Sequence, residues 1–403
     1  MTNKRFQRGR RAFAVASVLA LGALLAFGGP AAGSPASIAA KRAEARAGVV
    51  ASKPASFEVV ADGLDNPRKL AFGPDGALWV AEAGRGGSGP CVQGPEGLAC
   101  FGSTGAITRI ADGEQQRVLR GLPSLAAPDG TGATGPADVS FAGHRLYVAM
   151  QHPGGGPEGR APFGSKGRAF GRLLIASRAG VELGVDFARF EANHNPDAAA
   201  PGSSVDSDPY AVLAGRSVQV VVDAAGNDLL QVDREGHIKV LAVFPVRMVP
   251  APAAPPGTTI PMQSVPTSVT RGPDGAYYVG ELTGFPFPKG AARVYRVVPG
   301  HRPQVYARGF TNIVDVAFDR HGRLLVLEIA KNGLTSDDLT GALVRVGRDG
   351  ARTELASAGL VAPGGLAIAP DGSFFVSNFG IFPGKPAPGL PGTGQVVRIR
   401  VKK

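Results

Sequence analysis

The chain has 403 residues, a formal net charge of +11, 58 Gly, 34 Pro and only 2 Cys. That length suits one large repeat domain or two ordinary ones. Five of the positive charges and no acid fall in residues 1–40, leaving +6 for the rest. The remaining basic residues are scattered and often alternate along apolar runs, as in "RIR" at 398–400, which is the pattern of a solvated face and excludes a nucleic-acid footprint.

Residues 1–40 read as a secretory signal peptide. Lys4, Arg5, Arg8, Arg10 and Arg11 form a basic head, "AFAVASVLALGALLAFGG" at 12–29 an apolar middle, and "PAAGSPASIAA" a run of small residues suited to cleavage. "RRAF" at 10–13 leaves a twin-arginine route open beside the general one. No Cys precedes Cys91, so no lipid-anchored cysteine can form at the cleavage site, and no later stretch is long and apolar enough to span a bilayer. Residues 41–56 are expected to be a linker. The mature chain is expected to be extracytoplasmic, without membrane contact, and monomeric.

From residue 57 onward the elements are short and β-like, with no sustained helical periodicity. "FEVVADGL" at 57–64 is a strand standing alone. It is followed by a unit that recurs: a short apolar strand ("RKLAF", 68–72), a turn, a second strand ending in an acid ("ALWVAE", 77–82), a loop, a third strand ("GAITRIADG", 105–113), a tight turn, and a fourth strand ("QQRVLRGL", 115–122). Its signature is "FGPDGALWVAE" at 72–82, "RGPDGAYYVGE" at 271–281 and "IAPDGSFFVSN" at 368–378, with "FDRHGRLLVLE" at 318–328 keeping the frame and the turn Gly. Pro presets φ for the turn, Asp bonds the backbone locally and Gly supplies positive φ.

Third strands recur at 171–180, 227–236, 292–300, 341–350 and 394–403, which makes six, and five of these six are followed by a fourth strand. The missing last one matches the orphan at 57–64. The prediction is an all-β, six-bladed β-propeller of four-stranded antiparallel blades over 57–403, its last blade closed by the N-terminal strand. A pair of β-sandwiches is the competing architecture, but it leaves the orphan strand unexplained.

In such a meander the turns joining first to second and third to fourth strands share one face of the disc, and here they are short. The other connections, including 83–104, 152–170, 191–209, 245–266, 282–291, 329–340 and 379–393, are long and share the opposite face, the expected working face. Cys91 and Cys100 lie together in the first of these. In an exported chain they read as a disulfide, with free thiols as the alternative; a zinc site lacks its other ligands.

Second strands end on the working face in Glu82, Asp223, Glu281, Glu328 and Asn378, with Gln151 nearest in the second blade. Two readings stand. Each side chain bonds backbone N–H groups of the following turn. Or the acids form a partial ring at the channel mouth that holds a cation such as Ca2+, or a cationic or hydroxyl-rich ligand. Arg68, Asp138, Tyr210, Thr267 and Asp315 start first strands and are expected to look into the channel. No G-x-S-x-G, H-E-x-x-H or phosphate-binding loop is present, and the six His are dispersed.

The runs "FEVVADGLDNPRKLAFGPDGALWVAEAG" at 57–84 and "VVVDAAGNDLLQVDREGHIKVLAVFP" at 220–245 resemble the ScyD/ScyE family of exported bacterial proteins, which look like NHL- and TolB-type propellers. The resemblance covers essentially residues 57–403 and implies fold and export. It points to a binding or scaffold protein whose partner is an extracellular protein, glycan or small molecule. The alternative is a metal-dependent propeller enzyme of the lactonase, lyase or sugar dehydrogenase kind. Gluconolactonase-like propellers carry a Glu early in the first blade, where this chain reads "NPRKLAF". Quinone-dependent sugar dehydrogenases use a channel-facing His, and no His lies on a first strand here.

Overall fold

A computed structural model describes residues 50, 51, 55–94, 97–386 and 388–401; the signal-peptide region lies outside them. The first strands of the six blades are Pro67–Phe72, Pro136–Ala142, Pro209–Ala214, Pro266–Arg271, Ile313–Phe318 and Gly365–Ile368. Each neighbours the next around an axis, and the sixth lies beside the first. Each pairs antiparallel with its own second strand, and third and fourth strands follow outward. The architecture is the all-β, six-bladed propeller that the repeats predict.

The strand Ser56–Leu64 supplies the fourth strand of the sixth blade. It runs antiparallel to Gly394–Arg400, from Ser56 opposite Arg400 to Leu64 opposite Gly394. Apolar faces of successive blades interleave: Leu78, Val80 and Ile110 of the first pack with Leu64, Ala367 and Val396 of the sixth. The second strands, Leu78–Glu82 among them, are buried on both sides because each sheet is covered by two neighbours.

The turn chemistry recurs as expected. The Asp75, Asp274 and Asp371 carboxylates accept from the amides of Ala77, Ala276 and Ser373. Each also pairs with an arginine on the third strand of its blade, Arg109, Arg296 or Arg398. The alternating basic residues of the third strands are thus anchored to the turns beside them.

Four details depart from the sequence-based expectation. In the expected linker, Val50–Ala51 pairs parallel with Thr353 and Glu354 on the outer edge of the fifth blade. The segment with the cysteines is a β-ribbon rather than a loop. Cys91–Gly94 folds back on Gly97–Ala111 with Cys91 opposite Cys100, and the two form a disulfide. The connections around the second blade are partly helical: a 3₁₀ segment, Pro157–Gly167, and an α-helix, Phe187–His194. Asp186 caps that helix by accepting from the Arg189 amide, and Asn195 ends it at φ 37°. The Pro-rich 245–266 contains a hairpin, Arg247–Pro250 with Thr259–Met262.

The long connections pack on one another. Phe101 of the ribbon stacks on Phe163 of the 3₁₀ segment with ring centroids 5.0 Å apart, and Phe163 meets Phe170 at 5.8 Å.

Deleting 56–64 would leave Gly394–Arg400 as a bare edge with its apolar face uncovered. The melting temperature should fall by on the order of ten degrees or more; equal melting temperatures would exclude the strand from the ring. The disulfide closes a short ribbon, so its loss should cost no more than about 2–3 kcal/mol. Non-reducing peptide mapping of exported protein should find Cys91 linked to Cys100.

Candidate functional site

The residues that end the second strands stand opposite the start of the first strand of the same blade: Glu82 by Pro67, Asp223 by Pro209, Glu281 by Pro266, Glu328 by Ile313. There the chain has just crossed from the preceding blade, and the crossing leaves donors without a ladder partner. The carboxylates take them. Glu82 accepts from the Asp65 amide at 2.7 Å, and Glu328 from the Thr311 amide at 2.6 Å. Asp223 accepts from the amides of Asp208 and Gly226 and from the Ser207 hydroxyl. Glu281 accepts from the Ser264 hydroxyl, and Asn378 from the Val361 amide. Most of these partners lie in the crossing that precedes the first strand, not in the following turn. Arg117 forks onto Glu82, and Arg247 pairs with Glu281. Burial pushes the Glu281 and Glu328 carboxyls up to about 7 and also raises Asp223.

Each of these residues is thus engaged at the base of its blade, and no three of Glu82, Asp223, Glu281 and Glu328 bring ligand atoms within 4.8 Å of one another. Among the described residues, the one trio of acidic or His groups with ligand atoms within 4.8 Å of one another is Asp233, Glu235 and His237. It lies in a turn on the opposite face, where Asp233 caps the amides of Glu235 and His237. In the second blade the matching position is Met150, which pairs with Pro136; Gln151 is one residue further on.

The first strands behave differently, because their opening residues converge on the axis. Arg68 is fully buried. Its Nη2 donates to the Ala133 carbonyl at 2.7 Å, while Nε and Nη1 have no partner. Burial depresses the guanidinium below its usual range, against the pull of the nearby Tyr210 hydroxyl and Asp208 carboxylate. The Tyr210 hydroxyl is also unpartnered, and burial pushes it up to about 12. Lys69 donates to the Val314 carbonyl, pairs with Asp315 at 2.8 Å and sits 5.9 Å from the centre of the Tyr210 ring.

Asp138 and Asp315 play matched parts in the second and fifth blades. Each accepts from the amide that follows it, Val139 or Val316. Each then reaches the next blade's first strand, Asp138 at the Val212 amide and Asp315 at the Leu366 amide. Thr267 makes the corresponding link from the fourth blade by donating to the Ile313 carbonyl.

Where the second blade opens onto the long-loop face, Gln151 and His152 complete the group. Asp208 accepts from the His152 amide and the Gln151 side chain. His152 Nε2 and Gln151 Oε1 have no partner. Burial depresses His152 to about 3, with Arg160 adding to the shift, so the imidazole is neutral. Sequence reasoning does not find Lys69 or Asp208, and it places His152 only as a His in a long loop of this face. The signal for Asp208 was present in "DSDPY" at 206–210, acids immediately before a first strand.

Burial pushes the Asp138 carboxyl up to about 7, against the pull of Lys69 and the Val212 amide and with the push of Asp315. An unfolded Asp titrates near 4. Between those values the fold keeps a proton that the unfolded chain has released. This contribution to stability is present below about pH 4 and lost as pH rises through about 7. Melting temperature should therefore fall from about pH 5 to about pH 8, with a shallower slope in Asp138→Asn; equal slopes would remove Asp138 from the account. Asp138→Ala strands two buried amides at about 1–3 kcal/mol each, measurable by denaturant unfolding.

No family model matches this chain, nor does any curated protein. Solved structures do resemble it. A streptogramin B lyase aligns over 86% of this chain and 98% of its own, with TM-score 0.44 and 12% identity. A gluconolactonase from Xanthomonas campestris aligns over 86% and 90%, with TM-score 0.49 and 11% identity. The quinone-bound aldose sugar dehydrogenase from Streptomyces coelicolor aligns over 87% and 99%, with TM-score 0.47 and 11% identity. The likeness concerns architecture and carries nothing about chemistry.

Proposed function

We propose that the chain is an exported binding protein of the ScyD/ScyE type, which takes an oxyanion-bearing ligand on its long-loop face at Arg68 and Tyr210. The ligand class is a small carboxylate, or a glycan or peptide segment that carries one. The observation that carries this reading is the unmet hydrogen-bonding capacity of Arg68. A guanidinium is permanently charged and presents five donors in a fixed fork that matches a carboxylate. Here two of its nitrogens are buried without acceptors, and the Tyr210 hydroxyl beside them is equally unmet. Leaving such groups unpaired costs about 1–3 kcal/mol each, and more for charged ones. A ligand oxyanion would satisfy both.

Arg68 is fully enclosed, and loop 127–135 contributes the carbonyl that takes its Nη2. Binding thus requires that loop to open. Glu82, Glu281 and Glu328 serve this site indirectly, by holding the bases of the long loops through their bonds to the crossings. Export is supported by the composition of residues 1–40 and by the Cys91–Cys100 disulfide. Among the described residues no helix is long and apolar enough to cross a membrane.

The test is a thermal-shift panel on purified mature protein, with small carboxylates, sugar acids, phosphate esters, neutral sugars and lactones. At least one anionic compound should raise the melting temperature by several degrees, its neutral analogue should not, and Arg68→Gln should abolish the shift. A panel that moves nothing, or a shift that survives in Arg68→Gln, would overturn the reading. Turnover of a lactone or sugar in the same panel would place the chain with the propeller enzymes instead.

A further inference from the structure

The repeat departs from its own pattern in the fifth blade. In the first, fourth and sixth blades an arginine of the third strand stands opposite the same position of the second: Arg109 opposite Trp79, Arg296 opposite Tyr278 and Arg398 opposite Phe375. Each is held by the aspartate of the turn, Asp75, Asp274 or Asp371. In the fifth blade the matching residue is Arg345, opposite Leu325. The turn there reads "DRHGR" at 319–323, so His321 stands where the others have Asp.

The other acids nearby do not replace the missing partner. The Asp319 carboxylate accepts from the amides of His321 and Arg323 and from the Arg323 side chain. Asp371, in the sixth blade, is taken by Ser373 and by its own Arg398. Among the described residues Arg345 makes no ion pair and no side-chain hydrogen bond. Burial and the neighbouring Arg323 depress its guanidinium below the usual range, against the pull of Asp319.

The released arginine lines a cleft of about 560 Å³ between the fifth and sixth blades. The cleft lies among the short turns, on the face opposite the long loops. Arg320 and Arg323 share its wall with Arg345, while Leu355, Ile368 and Phe374 make part of the lining apolar. The imidazole of His321 accepts from Arg320 Nε at 3.3 Å and brings no negative charge.

We propose that this cleft is a second binding site, which takes an amphipathic carboxylate: a carboxyl group on Arg345, its apolar chain along Leu355, Ile368 and Phe374. The volume falls within the roughly 300–1,000 Å³ of small-molecule sites. Several like charges on a concave wall draw anions into it. Arg323 is tied to Asp319 and Arg320 to the imidazole, which leaves one guanidinium with its whole fork free. One such fork matches one carboxylate by two parallel hydrogen bonds. The apolar lining favours a ligand with an apolar body over a bare anion.

The test is calorimetric titration of sodium octanoate into mature protein, repeated in Arg68→Gln so that the axial site does not contribute. One equivalent should bind in Arg68→Gln, and acetate and octanamide should each bind at least tenfold more weakly. Arg345→Gln should weaken octanoate binding tenfold or more. His321→Asp should do the same while melting at least as high as wild type, because it supplies the turn acid that holds the matching arginine in three other blades; this separates a lost site from a lost fold. A flat titration, equal affinity for octanamide or acetate, loss of all octanoate binding in Arg68→Gln, or binding unchanged in either Arg345→Gln or His321→Asp would each overturn the proposal.

Discussion

The structure depends on one antiparallel ladder between chain segments about 340 residues apart, Ser56–Leu64 on Gly394–Arg400. Six twisted sheets around an axis stay packed only when the first and last are joined. The ladder also fixes the residues next to it in the chain. Asp65, directly after the closing strand, accepts from the Gly384 amide and pairs with Arg85 and Arg117. Asn66 donates to the carbonyls of Gly84 and Gly130, accepts from the Ala133 amide, and gives its own amide to Phe382. Two residues thus bind the sixth blade, the first blade and the crossing to the second. With that corner held, Arg68 and Lys69 come directly to the axis.

The polar groups inside the ring fall into two kinds. The acids at the ends of the second strands, and Asp138 and Asp315 on the first strands, are answered by backbone donors or, at Glu281, by the Ser264 hydroxyl and Arg247, and they turn a break in hydrogen bonding at each crossing into a join. Arg68, Tyr210, His152 and Asp228 retain atoms with no partner. Buried groups of the first kind hold a fold together. Those of the second kind weaken it unless something binds them, which is why function is sought there.

The ring was legible because its signals are local. Pro-Asp-Gly builds a turn from four adjacent residues, and the Asp side chain bonds the amide two residues on. The orphan strand at 57–64 needed only counting. The fate of the terminal acids was not legible, since a carboxylate at a strand end is written identically whether it caps an amide or holds an ion. Its partner sits 15 to 17 residues earlier for Glu82, Asp223, Glu281 and Glu328, and only the fold brings it close. Helix Phe187–His194 had readable ends in Asp186 and Asn195, but eight residues are too few for periodicity to stand out.

The direction of the closing ladder has a mechanical consequence. The chain comes into the closing strand at Ser56 and leaves the sixth blade at Arg400, and these two residues face each other at the same end of the ladder. Tension between the segment before residue 56 and the tail after residue 400, once Val50–Ala51 has come off the edge of the fifth blade, would load that end pair and peel the rungs one at a time. A ladder pulled lengthwise shares its load among all rungs, but this one cannot. Held at its N-terminal side and tugged at its C-terminal side, the propeller would open at its seam like a zip, at low force, while the other five blades stayed whole.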